Sequence, residues 1–161
     1  MQIKTKNFGE IEIKEDEIIS FGKGIPGFES LKKFIILEHE PNNPFKWLQA
    51  VEEPDVAFVI IEPSEFLPTY DPKPDAEEML ELGIKDIQEA LIYAIIVVPE
   101  DITHMTANLK APIIINRQNR QGRQIILEDS EYDLKHNILN EMQKLKTGEK
   151  EKNALLMIKA E

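Results

Sequence analysis

The 161-residue chain contains no cysteine. That absence excludes a disulfide framework, a thiolate metal site and a cysteine nucleophile, and it suits a reducing compartment. Histidine is nearly as scarce: His39, His104 and His136 stand far apart, none with a partner at metal-ligand spacing. No apolar run approaches membrane-spanning length, and the opening stretch MQIKTKNFGE scatters charge through the place where a secretory h-region would lie. The expectation is a non-secreted, cytoplasmic protein with no membrane partner. No repeat or low-complexity tract breaks the chain, which is long enough for one core and too short for two.

Charge is abundant but lopsided. The net charge is −11, yet residues 102–127 carry no acid and four bases, Lys110, Arg117, Arg120 and Arg123. An acidic surface of this size repels nucleic acid and favours basic proteins. The loop Asn116 to Arg123, with three arginines and several amides, is the one feature suited to RNA, but it lacks an aromatic residue for base stacking. An RNA-binding β-barrel using this loop is the alternative reading, and no direct nucleic-acid contact is the preferred one.

Short apolar runs dominate the pattern. Ile3, Phe8, Ile11 and Ile13 alternate with polar residues around Gly9, which predicts a β-hairpin. Further strands are predicted at Phe34–Leu37, Trp47–Val51, Ala57–Ile61, Leu91–Val98, Ile113–Ile115 and Gln124–Leu127, with prolines between the runs. One helix is signalled over roughly 76–82, capped by Asp75. Many short strands with few helices predict a mainly β fold, a small closed or nearly closed antiparallel β-barrel, because closure removes exposed edges. The barrel domain is read as 1–137. Residues 138–161 form a variable tail, a C-terminal helical appendage in which Leu139, Met142 and Leu145 make a helical stripe and Ala154 to Ile158 a last apolar run.

Three of the seven glycines fall in Gly22-Lys23-Gly24-Ile25-Pro26-Gly27, followed by Phe28, Leu31 and Phe34. The spacing mimics a dinucleotide fingerprint, but Pro26 lies inside it and no binding helix follows. The stretch predicts a defined turn that returns Phe28, Leu31 and Phe34 to the core across one helical turn. Adjacent acid pairs such as Asp16-Glu17, Glu52-Glu53 and Glu77-Glu78 point in divergent directions, so a hydrolytic pair is not indicated.

The run Phe21 to Glu29, the segment Pro44-Phe45-Lys46-Trp47-Leu48-Gln49-Ala50, and Ala111 to Asn116 with Gln124 after its loop occur in an order that resembles the bacterial flagellar assembly factor FliW family. The resemblance covers about residues 1–137. It implies a small β-barrel that is not an enzyme, needs no cofactor and is monomeric when free. It further implies a regulator that binds flagellin and antagonises CsrA, a basic dimeric RNA-binding repressor of flagellin translation. On that reading, Phe45 or Trp47 is expected to remain partly exposed as a partner anchor. Glu62, Glu65, Asp71 and Asp75 are candidates for a basic partner, and Ile25, Phe28 and Tyr70 for an apolar surface that captures flagellin.

Overall fold

A computed structural model describes residues 1–145 of the chain. The predicted hairpin is present as β1 (Gln2–Thr5) and β2 (Gly9–Glu12), paired antiparallel from Gln2↔Glu12 to Thr5↔Gly9. The other strands are β3 (Ile19–Ser20), β4 (Lys33–Leu37), β5 (Phe45–Ala50), β6 (Ala57–Ile61), β7 (Ala90–Val97), β8 (Thr106–Ala107), β9 (Ile113–Asn116), β10 (Gly122–Gln124) and β11 (His136–Asn137). Helix α1 spans Ala76–Glu81, and residues 138–145 form a second helix, α2. The Asp75 carboxylate caps α1 by accepting from the Glu78 N–H at 3.2 Å. The last predicted run, Ala154 to Ile158, lies outside the described residues.

The large sheet runs in the order β10-β9-β7-β6-β5-β4-β3, with β8 on β7 and β11 on β8. It is an open sheet and not the closed or nearly closed barrel expected. Its end strands β3 and β10 meet only at one bridge, Ser20 to Gln121, beside a 2.9 Å bond from the Ser20 N–H to the Arg120 carbonyl. The physical reason is length, since two and three residues cannot build a ladder across the seam. Side chains fill it instead: a Cβ on Gly122 would stand 2.9 Å from the Phe21 ring. Very short edges limit pairing with other chains, which is the problem closure would otherwise have solved.

The curl buries one face upon itself. Phe34, Leu48, Ala50, Ile60, Tyr93, Ile113 and Ile115 form this inner cluster, plugged by Phe21 and Ile25. The opposite face is covered in three places: by the β1–β2 hairpin over Ile35 and Val51, by α1 over Ile114 and Ile125, and by Phe66, Leu109 and Ile138 over Ile61 and Ile96. Strands buried on both sides explain the unbroken runs Ile60-Ile61 and Ile113-Ile114-Ile115.

The glycine-rich stretch is a tight turn without the helical turn expected of it. The Phe28 N–H donates to the Ile25 carbonyl at 2.7 Å, and the Glu29 carboxylate accepts from the Gly27 N–H at 3.0 Å. The Gly27 N–H, followed by the Glu29 N–H, lowers the pKa of that carboxylate. Gly24, at φ +69, sits where a Cβ would lie 2.5 Å from the Glu29 Cα. Beyond β4, the fully buried Gln49 Nε2 reaches the carbonyls of Ala50, Glu53, Pro54 and Val56 at 3.1–3.4 Å and so shapes the β5–β6 turn.

Candidate functional site

A groove of about 1120 Å³ opens between the stretch that runs from Leu67 to Glu78 in the first turn of α1 and the irregular segment 126–133, with His136 at its end. The first segment leaves β6 through a 3-10 turn at Pro63–Glu65 and is pinned by the fully buried Phe66. Tyr70 then donates from its hydroxyl to the Leu109 carbonyl at 2.8 Å, and burial pushes that hydroxyl's pKa up. The second segment is held by the Leu127 N–H on the Lys110 carbonyl at 2.8 Å. The two walls are joined by the tyrosines: Tyr70 and Tyr132 rings lie 4.6 Å apart, and the Tyr132 hydroxyl accepts from the Asp71 N–H at 2.8 Å.

Carboxylates line both walls. Asp71, Asp75 and Glu78 stand on one side and Glu128, Asp129, Glu131 and Asp133 on the other, with Lys73 and His136 as the basic groups of the lining among the described residues. Leu67, Ile126, Leu127 and Tyr132 supply apolar lining. Ile126 leaves 56% of its surface exposed. Such a groove offers strong negative potential around an apolar strip, which suits a basic amphipathic protein segment. Among the described residues, no three His, Asp or Glu side chains are placed to hold a metal ion, and no helix is long and apolar enough to cross a membrane.

Of the residues singled out from the sequence, Asp71 and Asp75 line the groove and Tyr70 braces it. Glu65 is exposed and Glu62 half-buried on the turn leading there, outside the groove lining. Phe45 and Trp47 are both half-buried on β5. Phe45 packs on the Phe66 cluster, while Trp47 meets Phe8 and His39 edge-on at 6.4 and 6.2 Å. Ile25 is 1% exposed, so its part is core packing, whereas Phe28 is 37% exposed with its ring 5.1 Å from Phe58. The second groove wall was missed. Its signal is the run Glu128-Asp129-Ser130-Glu131-Tyr132-Asp133, four acids in six residues around a tyrosine.

The arginine-rich loop has structural employment. The Asn116 and Asn119 side-chain amides both donate to the Leu82 carbonyl, at 2.9 and 3.0 Å, satisfying the C-terminal end of α1. Arg123, with a side chain only 12% exposed, donates to Glu81 at 2.8 Å and lies 4.0 Å from Glu78. Lys23 from the glycine-rich turn reaches Glu81 at 3.6 Å. The Arg123 hydrogen bond, followed by the Lys23 charge, lowers the Glu81 pKa. A lowered folded value stabilises the fold above the unfolded pKa and is lost as pH falls through the folded one. In an Arg123→Ala variant the Glu81 titration followed by NMR is expected to move upward; an unmoved midpoint would show that the ion pair does not form in solution.

The FliW protein family profile matches residues 2–138. The flagellar assembly factor FliW of Thermoanaerobacter pseudethanolicus is 52% identical over 143 residues, covering 88% of this chain and 95% of that protein. Its counterpart in Caldanaerobacter subterraneus subsp. tengcongensis is 50% identical over the same shares. A crystal structure of a flagellar assembly factor FliW superposes with a TM-score of 0.80 at 41% identity, covering 86% of this chain and 96% of that one. With a matched fold and relatives this similar over nearly their whole length, the chain belongs to the FliW family of flagellar assembly factors.

Proposed function

We propose that this protein acts in the cytoplasm, as a monomer when free, by binding flagellin and antagonising a CsrA-type RNA-binding regulator, so that repression of flagellin synthesis is relieved. The observation that carries this reading is the family match over residues 2–138, whose relatives are flagellar assembly factors. Members of such a family are not enzymes, and neither is this chain. When flagellin is scarce, the free protein engages the regulator and keeps it from flagellin mRNA; when flagellin accumulates, it occupies the protein and frees the regulator.

The acidic groove supports the regulator half of the scheme, because opposed fields raise association rate and specificity between an acidic and a basic partner. The half-exposed rings of Phe28 and Trp47 support the other half, since a chaperone for unassembled flagellin must cover apolar surface. The RNA-binding alternative is disfavoured by Arg123 and the two asparagines, which the fold already uses.

Two measurements test the proposal. Affinity for the purified regulator is expected to fall steeply with salt, as the Debye length of about 8 Å at physiological ionic strength shrinks. Salt-independent binding would contradict a groove-based contact. For flagellin, Phe28→Ala is expected to weaken binding by more than about 1 kcal/mol with a smaller loss of stability, whereas Ile25→Ala is expected to cost folding stability first, by about 2–5 kcal/mol of cavity and transfer free energy. Equal flagellin affinity for Phe28→Ala and the parent would remove Phe28 from the contact surface.

A further inference from the structure

We propose that the open end of the inner sheet face is a docking shelf for an amphipathic helix of a partner protein, one whose aliphatic stripe is flanked by lysine or arginine. Phe58 and Ile95 pack on the inner cluster but stay half-buried. The β6–β7 register sets Val59 against Ile96 and Ile60 against Ile95, so Phe58 and Val97 stand on that same face at the end of the ladder. Val97 leaves 60% of its surface exposed, and the exposed Phe28 ring lies 5.1 Å from Phe58. Ile102, 61% exposed, sits on the 3-10 turn Ile102–His104 that leads into Thr106, the residue paired with Val97. Exposed aliphatic and aromatic groups placed together in this way mark a surface for a protein partner.

Charge sets the flanks of the occupant. The segments that carry the shelf bring four exposed acids: Glu29 beside Phe28, Asp55 ahead of Phe58, and Glu100 and Asp101 ahead of Ile102. The Thr103 hydroxyl, followed by its N–H, lowers the Asp101 pKa, and the Gly27 N–H acts likewise on Glu29, so both carboxylates stay ionised at neutral pH. Lys32 donates to the Gly22 carbonyl at 3.2 Å, Lys46 pairs with Glu38 at 3.1 Å and His104 lies 3.9 Å from Asp101, so these bases are already engaged. An apolar strip in an acidic frame selects a basic-flanked apolar stripe. A strand is the poorer occupant. The β6–β7 ladder begins at Val59, so Ala57 and Phe58 offer a free edge of two residues, and Pro99 ends β7. A helix needs no edge, only a face that receives its i, i+3 and i+4 side chains. The shelf continues the Phe28 surface, so its use by flagellin rests on the function proposed above, whereas its preference for a basic-flanked helix rests on these residues alone.

The probe is a synthetic amphipathic helical peptide of leucine and lysine, titrated into the full chain and followed by methyl NMR. Shifts are expected at Ile95, Val97 and Ile102, and a leucine–glutamate peptide of the same pattern is expected to produce none. Val97→Glu combined with Ile102→Glu, both at exposed positions, is expected to weaken the lysine peptide at least about tenfold, as for lost apolar anchors. Ile126→Glu, in the acidic groove, is expected to leave the shelf shifts as they are. Shifts confined to Leu67 and Ile126, parent-like affinity in the double variant, or equal binding of the glutamate peptide would overturn the shelf. Should the double variant fail to fold, the shift map of the parent chain decides by itself. Flagellin, titrated into the same chains, separates this inference from the function it extends. Binding to the parent without loss in the double variant removes the shelf from the flagellin contact and leaves that function standing. No binding to the parent refutes the function, and the peptide shifts still decide the shelf.

Discussion

A Gly24→Ala variant is expected to lose about 3 kcal/mol of folding stability, read as a lowered urea midpoint with an unchanged slope. Two costs combine. An L-residue held at φ +69 carries a penalty of roughly 1–2 kcal/mol. The added Cβ would also stand 2.5 Å from the Glu29 Cα and 2.8 Å from the Glu29 carbonyl oxygen, and these are backbone atoms that yield only if the turn moves. Moving it disturbs the Ile25–Phe28 bond and withdraws Ile25 from the inner cluster. Against a typical total of about 5–15 kcal/mol, that loss is severe. Gly22→Ala, with nothing within 4 Å of its Cβ position, is the control and is expected to stay within about 0.5 kcal/mol of the parent.

Reversing one charge on each wall of the groove, as Asp71→Lys with Glu131→Lys, is expected to weaken binding to the basic regulator about 100-fold. Both side chains are exposed, and among the described residues the Asp71 carboxylate pairs with the exposed Lys73 alone, at 3.9 Å, so melting is expected to change little. Asp75 is a poorer choice for the same test, because it caps α1 and its loss costs about 1 kcal/mol by itself. Fluorescence anisotropy with the labelled regulator gives the affinity, and a parent-like value for the double variant would place the contact elsewhere.

Local features were legible in the sequence wherever one residue's chemistry decides the outcome. Asp75 caps α1, the β1–β2 hairpin pairs around Gly9, and β7 spans Ala90–Val97 against the predicted Leu91–Val98. Closure was not legible, because it depends on whether the two end strands are long enough to pair. β3 and β10 stop at two and three residues, where Phe21 and Gly122 pack in place of further hydrogen bonds. The groove was half legible for a similar reason. Asp71 and Asp75 stood out as exposed acids ahead of α1, but nothing local says that Tyr132, 61 residues after Asp71, will accept the Asp71 N–H and bring a second acidic run opposite. Ile25 was misplaced on the surface because its glycine and proline neighbours read as an exposed loop, while the turn they form points this side chain into the core.

The link between two partners is read out by titrating flagellin into a preformed complex of this chain with the CsrA-type regulator, while occupancy of a flagellin leader RNA by the regulator is followed. Flagellin is expected to capture the chain, and the regulator to return to the RNA in proportion. A regulator that stays off the RNA at saturating flagellin, or that never left it when the chain was added, would show that this chain does not couple the two partners.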